Sequence, residues 1–80
     1  MQMENVIVYS TPSCPYCRMT KQYLEEQNIP YQEVDVASSQ KAAQEMVGKS
    51  GQLGVPVIDV GGKIIVGFNR PKINEALGIK

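Results

Sequence analysis

The run ENVIVYS at residues 4–10 is β-branched and aromatic with almost no polar interruption, the pattern of a strand covered on both faces. The stretch TPS ends it. From residue 15 to residue 28 the larger apolar side chains fall at Tyr16, Met19, Tyr23 and Leu24, a helical spacing. Pro15 suits the first helical position, where an N–H would have no partner, and Cys14 then becomes the helix N-cap. The segment IPYQEVDV alternates Tyr31, Val34 and Val36 with polar neighbours, with one imperfect step, and reads as a second strand after the turn marked by Pro30. A second helix is expected in ASSQKAAQEMVGKSG. Serines are available as caps, Ala42, Ala43, Met46 and Val47 share a face, Glu45 and Lys49 form an i, i+4 pair, and Gly48 and Gly51 stand near the stop.

VPVIDV, then Gly61-Gly62, then KIIVGF is a hairpin signature, because a two-residue turn of the favoured hand needs positive φ at both central positions. NRPKINEALG closes the chain as a third helix, with Asn69 as cap, Pro71 in the first turn, Ile73, Ala76 and Leu77 on one face and Gly78 as C-cap. The predicted order is β-α-β-α-β-β-α. Strands joined through a helix run parallel with a right-handed crossover, whereas the Gly-Gly pair is antiparallel, so the expected α/β fold is a mixed four-stranded sheet with helices on both faces. In such sheets ligands gather beyond the carboxyl ends of strands, which is where Cys14 falls.

Length and charge narrow the function. Eighty residues form a single small domain, 1–80. Lysine plus arginine and aspartate plus glutamate number eight each and are interspersed, so no field exists to draw nucleic acid or anionic lipid from a distance. No basic-then-apolar leader and no apolar stretch near the roughly 20 residues of a membrane span is present. The expectation is a cytoplasmic protein working as a monomer, without nucleic-acid or membrane partners. Two cysteines in such a chain fit a catalytic or metal role better than a secreted disulfide framework.

Those two cysteines, in TPSCPYC, are spaced i, i+3. At the N-cap and third helical positions their Cα atoms would lie roughly 5–6 Å apart, within disulfide range, so the pair can open and close without moving the backbone. Helical side chains lean toward the N-terminus, which makes Cys17 the less accessible sulfur and Cys14 the exposed one. The free N–H groups of Tyr16 and Cys17, at the positive end of the helix, favour a thiolate at Cys14 by up to about 2 kcal/mol. Arg18 and Lys21 add to the field, and no acidic residue lies between Asn5 and Leu24 to oppose it. The chemistry that follows is attack by Cys14 on a substrate disulfide, a mixed disulfide, and resolution by Cys17 or an external thiol.

The pair has two other readings. A staple closing so short a loop adds little stability. A zinc or iron–sulfur module would need ligands from a second subunit or a small thiol, since the chain has no histidine and no third cysteine. Redox chemistry is preferred, because Cys-x-x-Cys here follows a strand and opens a helix. Tyr16 is open between a substrate-facing and a half-buried role. Pro56 lies at the start of a strand that reads as interior, where proline is unwelcome, the plain alternative being an edge-strand proline; Phe68 reads as core and Arg70 as a solvated charge.

The chain resembles the glutaredoxin family of the thioredoxin fold over nearly its whole length. CPYC is that family's dithiol active site as it stands, GVPVI is similar to its Thr-Val-Pro segment, and the glycine pair followed by VGFNRPK occupies its closing positions. The resemblance implies a thioredoxin-like fold and a disulfide oxidoreductase with Cys14 as nucleophile and Cys17 as resolving thiol. Glutathione would be the co-substrate, with no bound cofactor. It also implies that Val55-Pro56 is a cis step whose Val55 backbone pairs with glutathione or a substrate peptide, and that Gly67, Phe68, Asn69 and Arg70 face the γ-glutamyl carboxylate, with Tyr16 beside the substrate. Two stretches depart from it. YSTPS lacks the basic residue usual before the first cysteine, and Gly67-Phe68-Asn69-Arg70 stands where Gly-Gly and an aspartate are usual. These resemble the small glutaredoxin-like redoxins that are reduced by thioredoxin reductase and serve ribonucleotide reductase, which makes that enzyme the alternative reductant.

Overall fold

The structure, a computed structural model, describes residues 5–52 and 54–78. Seven elements follow one another: β1 (Val6–Ser10), α1 (Pro15–Glu26), β2 (Gln32–Asp35), α2 (Gln40–Ser50), β3 (Val57–Val60), β4 (Lys63–Val66) and α3 (Arg70–Leu77). This is the expected order. Position 4, the start of the predicted first strand, lies outside the described residues.

The sheet order is β2-β1-β3-β4. β1 runs parallel to β2, as a strand–helix–strand crossover requires, and antiparallel to β3, which pairs antiparallel with β4. The two central strands, β1 and β3, are the most deeply buried, in keeping with their near-continuous apolar sequences. In the hairpin Val60 sits opposite Lys63, leaving Gly61 and Gly62 as the loop at φ 57° and 100°. Side chains with a Cβ rarely adopt such values, which is why glycine holds both places.

Period-two alternation divides the core between the two faces of the sheet. On one face Val6, Val8, Ile58, Val60 and Ile65 meet Tyr23, Leu24 and Ile29 from α1 and its exit and Ile73 from α3. On the other, Tyr9 and Val57, flanked by Ile7, Val34 and Ile64, meet Met46 of α2. The sheet is therefore the middle of three layers. Both later helices are capped as their sequences suggest: Ser39 Oγ accepts from the Ala42 N–H, Asn69 Oδ1 from the Lys72 N–H, and Gly51 and Gly78 end α2 and α3 in the left-handed conformation.

Two local expectations are corrected. Tyr16 and Met19 do not lie on the packed face of α1. Both are exposed, at 60% and 44%, and the buried stripe is Cys17, Thr20, Tyr23 and Leu24. Thr20 can join that stripe because its hydroxyl donates to the Tyr16 carbonyl at 2.9 Å and so brings no unsatisfied group inside. Lys49 does not pair with Glu45 along α2; its ammonium crosses to Asp59 on β3 at 2.7 Å and to the Tyr9 hydroxyl at 2.8 Å. A half-buried cation gains more from a shielded carboxylate than from an exposed one on its own helix. The edge-strand alternative for Pro56 also falls: it stands fully buried just before β3, which is interior as its sequence suggests. Its carbonyl accepts from the Gly67 N–H at 2.8 Å, so the hairpin ladder continues past β4.

Candidate active site

Cys14 ends the loop after β1 with extended backbone, φ −91° and ψ 114°, and caps α1, whose first residue is Pro15. Proline there fixes a helical φ and removes one surplus donor from the helix end. The next donors remain, and the Cys17 N–H points at Cys14 Sγ over 3.2 Å. No acidic residue occupies the first turn. The Cys17 N–H, at the positive end of α1, is thus the donor placed on the Cys14 sulfur. The sulfur's other neighbour is the Val55 carbonyl at 3.9 Å, which can accept from the thiol form. That contact brings the segment before β3 against the start of α1, 41 residues away in sequence.

The two sulfurs differ sharply in surroundings. Cys14 is half-buried, whereas Cys17 has no solvent exposure. Burial first, and then the neighbouring Cys14 thiol, push the Cys17 thiol up to about 12, against a favourable backbone interaction with Thr11 and the positive charge of Lys21. Both are reduced. One sulfur is reachable and faces the Cys17 N–H while its neighbour is enclosed and protonated, which gives a nucleophile and a reserve thiol.

Around them, Val55 is half-buried, and the Val55-Pro56 peptide is cis. Gly67 takes φ 83°. Two of the remaining site candidates gather on Tyr23. Phe68, half-buried, meets its ring edge-on with centroids 6.2 Å apart, and the exposed Arg70 guanidinium lies over the same ring at 5.0 Å. With Met19, Gln22 and Glu26 these three line a groove between α1 and α3. Asn69 spends its side chain on capping α3. Cys14 therefore touches both Cys17 and Val55, while Phe68 and Arg70 form a second cluster on α1, and Tyr16 stands free at the surface.

Comparison with known proteins decides the family. The glutaredoxin family model matches residues 6–65. The chain belongs to the glutaredoxin family. A glutaredoxin-like 8.6 kDa protein in the rubredoxin operon of Clostridium pasteurianum is 49% identical over 70 residues, covering 88% of this chain and 93% of that protein. Glutaredoxin 3 of Escherichia coli is 32% identical over 65 residues, 81% of this chain and 78% of its own. Among solved structures, the glutaredoxin of Archaeoglobus fulgidus superposes with a TM-score of 0.85 at 25% identity, over 92% of this chain and 86% of that one. This glutaredoxin is accordingly a thiol-disulfide oxidoreductase of thioredoxin-like fold.

Sequence reasoning missed two charged clusters in the glutaredoxin. Behind the site, Glu33 of β2 accepts at one oxygen from both the Lys21 ammonium, 2.6 Å, and the buried Ser10 hydroxyl, 3.1 Å. Its carboxyl is held below the ordinary range by Lys21 foremost, burial opposing. On the α2 face stands the Lys49, Asp59 and Tyr9 group. Only Asp59 left a signal, as a lone charge inside an apolar strand. Among the described residues no helix is long and apolar enough to cross a membrane.

Proposed function

We propose that this glutaredoxin reduces protein disulfides and glutathione mixed disulfides, with Cys14 as nucleophile, Cys17 as resolving thiol and glutathione as the recycling reductant. The observation that carries the reading is the Cys17 N–H aimed at Cys14 Sγ at 3.2 Å, with the Cys17 sulfur sealed one helical turn below. Cys14 thiolate attacks one sulfur of the substrate disulfide; the S–S bond breaks, and its electron pair leaves with the other sulfur, which takes up a proton. The resulting mixed disulfide is opened either by Cys17, which forms the internal Cys14–Cys17 bond, or by glutathione. Two glutathione thiols then return the internal bond to the dithiol and leave as oxidised glutathione. In this reading Val55 offers its backbone to the bound peptide, Pro56 fixes that segment, and Tyr16 borders the substrate. Gly67, Phe68, Asn69 and Arg70 meet the tripeptide's carboxylate at the N-terminus of α3. The protein acts as a cytoplasmic monomer with no bound cofactor.

Variants test it. Cys14→Ser should abolish disulfide reduction, and Cys17→Ser should retain glutathione-coupled turnover on mixed disulfides while losing protein-disulfide reduction. If both variants keep full activity, the assignment is wrong. A second reading, with thioredoxin reductase as electron donor and ribonucleotide reductase as recipient, is supported by the absence of a basic residue in the stretch before Cys14 and by Phe68-Asn69-Arg70. An NADPH-coupled assay run once with glutathione and its reductase, and once with thioredoxin reductase alone, separates the two. An iron–sulfur or metal role would need ligands besides the two cysteines; anaerobic reconstitution followed by visible absorption checks it.

A further inference from the structure

Cys17 presents a problem that the two-step mechanism leaves unsolved. To resolve the mixed disulfide it must give up a proton, yet its sulfur is fully enclosed and burial holds the proton on it. Once Cys14 is tied to substrate, the unfavourable Cys14 interaction disappears, but the burial remains. The groups facing Cys17 are few. Cys14 and the Thr11 backbone lie at the helix start, and Lys21 is on the next turn of α1, at i+4 and so on the same face. Among described residues of the other elements packed in that layer, β3 carries one charged side chain, Asp59, which is committed to Lys49 on the opposite face. From α3, Arg70 lies on Tyr23.

Lys21 is held unlike its solvated neighbour Arg18. Its stem is half-buried, and its ammonium is fixed at 2.6 Å by Glu33, which is itself fixed by the buried Ser10 hydroxyl at the end of β1. A long, flexible lysine tied at its tip to the sheet directly beneath the cysteine loop is a charge with a set place. We propose that Lys21 is a positioning residue for the second half-reaction: anchored by Glu33 and Ser10, its ammonium favours the thiolate of Cys17 while the mixed disulfide on Cys14 is being resolved. This rests on the proposed role of Cys17 as resolving thiol. Cys17 releases its proton and, as thiolate, attacks Cys14 Sγ; the Cys14–substrate bond breaks, the substrate sulfur leaves with the electron pair, and the proton ends there.

The size of the effect follows from two opposing trends. Each unit by which a thiol becomes harder to ionise removes tenfold of its thiolate, while intrinsic nucleophilicity rises by about threefold. A tenfold loss of Cys17 thiolate on removal of the charge by Lys21→Met would thus slow resolution by about threefold. Stopped-flow mixing of the fully reduced protein with dithiodipyridine, a neutral chromogenic disulfide, reads the two half-reactions apart. One thiopyridone is released when Cys14 attacks and a second when Cys17 closes the bridge. The expected result is a second phase slowed about threefold by Lys21→Met and displaced toward higher pH, a first phase unchanged, and restoration by Lys21→Arg. A second phase equal to that of the wild type, or both phases slowed in proportion, overturns the inference. Absence of any second phase in the wild-type protein would instead remove Cys17 from the resolving role, and the inference with it.

Discussion

Replacing Asp59 with alanine should cost this small protein much of its stability while leaving the cysteines untouched. Asp59 is 8% exposed on the central strand β3. One carboxylate oxygen takes the Lys49 ammonium at 2.7 Å and the other takes the Gly62 N–H at 2.8 Å, so the side chain ties together α2, β3 and the hairpin turn. A hydrogen bond involving a charged group contributes about 1.5–3 kcal/mol, which puts two of them at roughly 3–6 kcal/mol. The groups left behind soften that loss. Gly62 sits in an exposed turn where water can replace the carboxylate, and the Lys49 side chain, 29% exposed, keeps Tyr9 as a hydrogen-bond partner and as a ring beneath its charge at 5.1 Å. The net cost should therefore fall below the range for stranding a fully buried charge, at about 2–3 kcal/mol, or roughly 10–20 °C in melting temperature for a domain of this size.

The pH dependence gives the sign. Burial alone would raise the Asp59 carboxyl, but Lys49 and the Gly62 N–H outweigh it and hold it below its ordinary value. Lys49 is raised, by Asp59 first and then Tyr9. A depressed carboxylate contributes stability that is complete above its unfolded value, about 3.9, and lost as pH falls through the folded one. A raised lysine contributes stability complete below about 10.4 and lost as pH rises through its folded value. The gap between wild type and Asp59→Ala should hence be flat across neutral pH and shrink below about pH 4. Urea unfolding followed by circular dichroism, repeated at both pH values, measures it. A gap under about 0.5 kcal/mol at pH 7, the size of an ordinary surface change, or a gap that persists undiminished in acid, would refute the account. A double-mutant cycle with Lys49→Met then isolates the pair, because methionine keeps much of the apolar stem.

Two further outcomes are expected. At pH 8 iodoacetamide should alkylate Cys14 before Cys17, read by intact mass and peptide mapping, since a buried thiol pushed up to about 12 is only about one part in ten thousand ionised there. Gly62→Ala should destabilise by about 1–2 kcal/mol in the same urea assay; an added Cβ would meet nothing within 4 Å, so the cost is that of φ 100° alone.

Most of the architecture was legible because its signals are local. Cys14 before Pro15, Asn69 shortly before Pro71, Gly78 after Leu77 and the Gly61-Gly62 pair each mark an element boundary by backbone chemistry within a few residues, and each stands where that chemistry places it. The errors concern partners brought together by the fold. Counting large apolar side chains put Tyr16 and Met19 on the packed face of α1, whereas the buried stripe uses Thr20, made compatible with the interior by a bond to its own helix. Sequence spacing matches Lys49 with the nearest acid on its helix because Asp59 belongs to another element. Within the site, the i, i+3 spacing was enough to foresee an accessible and an enclosed sulfur. The Glu33 and Ser10 support for Lys21 was not foreseeable, because β2 reaches that position only through the parallel crossover.

The two charged clusters divide along the sheet in a way that bears on function. Glu33, Lys21 and Ser10 lie behind the cysteine loop, where α1 meets the ends of β1 and β2. Asp59, Lys49 and Tyr9 lie on the α2 face, with strands β1 and β3 between them and the helix that carries the cysteines. Substitutions at the second cluster act on the folded fraction, and those at the first on the ease with which Cys17 loses its proton; sites separated in this way, with no shared partner, should combine additively. Asp59→Ala assayed well below its melting temperature should therefore keep both phases of disulfide reaction at wild-type rates, whereas Lys21→Met should slow the second phase with little change in melting temperature, its ion pair being largely at the surface. An Asp59 variant that is folded but resolves slowly would show that the two faces are coupled through the sheet, and the assignment of Lys21 as a charge acting on Cys17 from its own face would lose its basis.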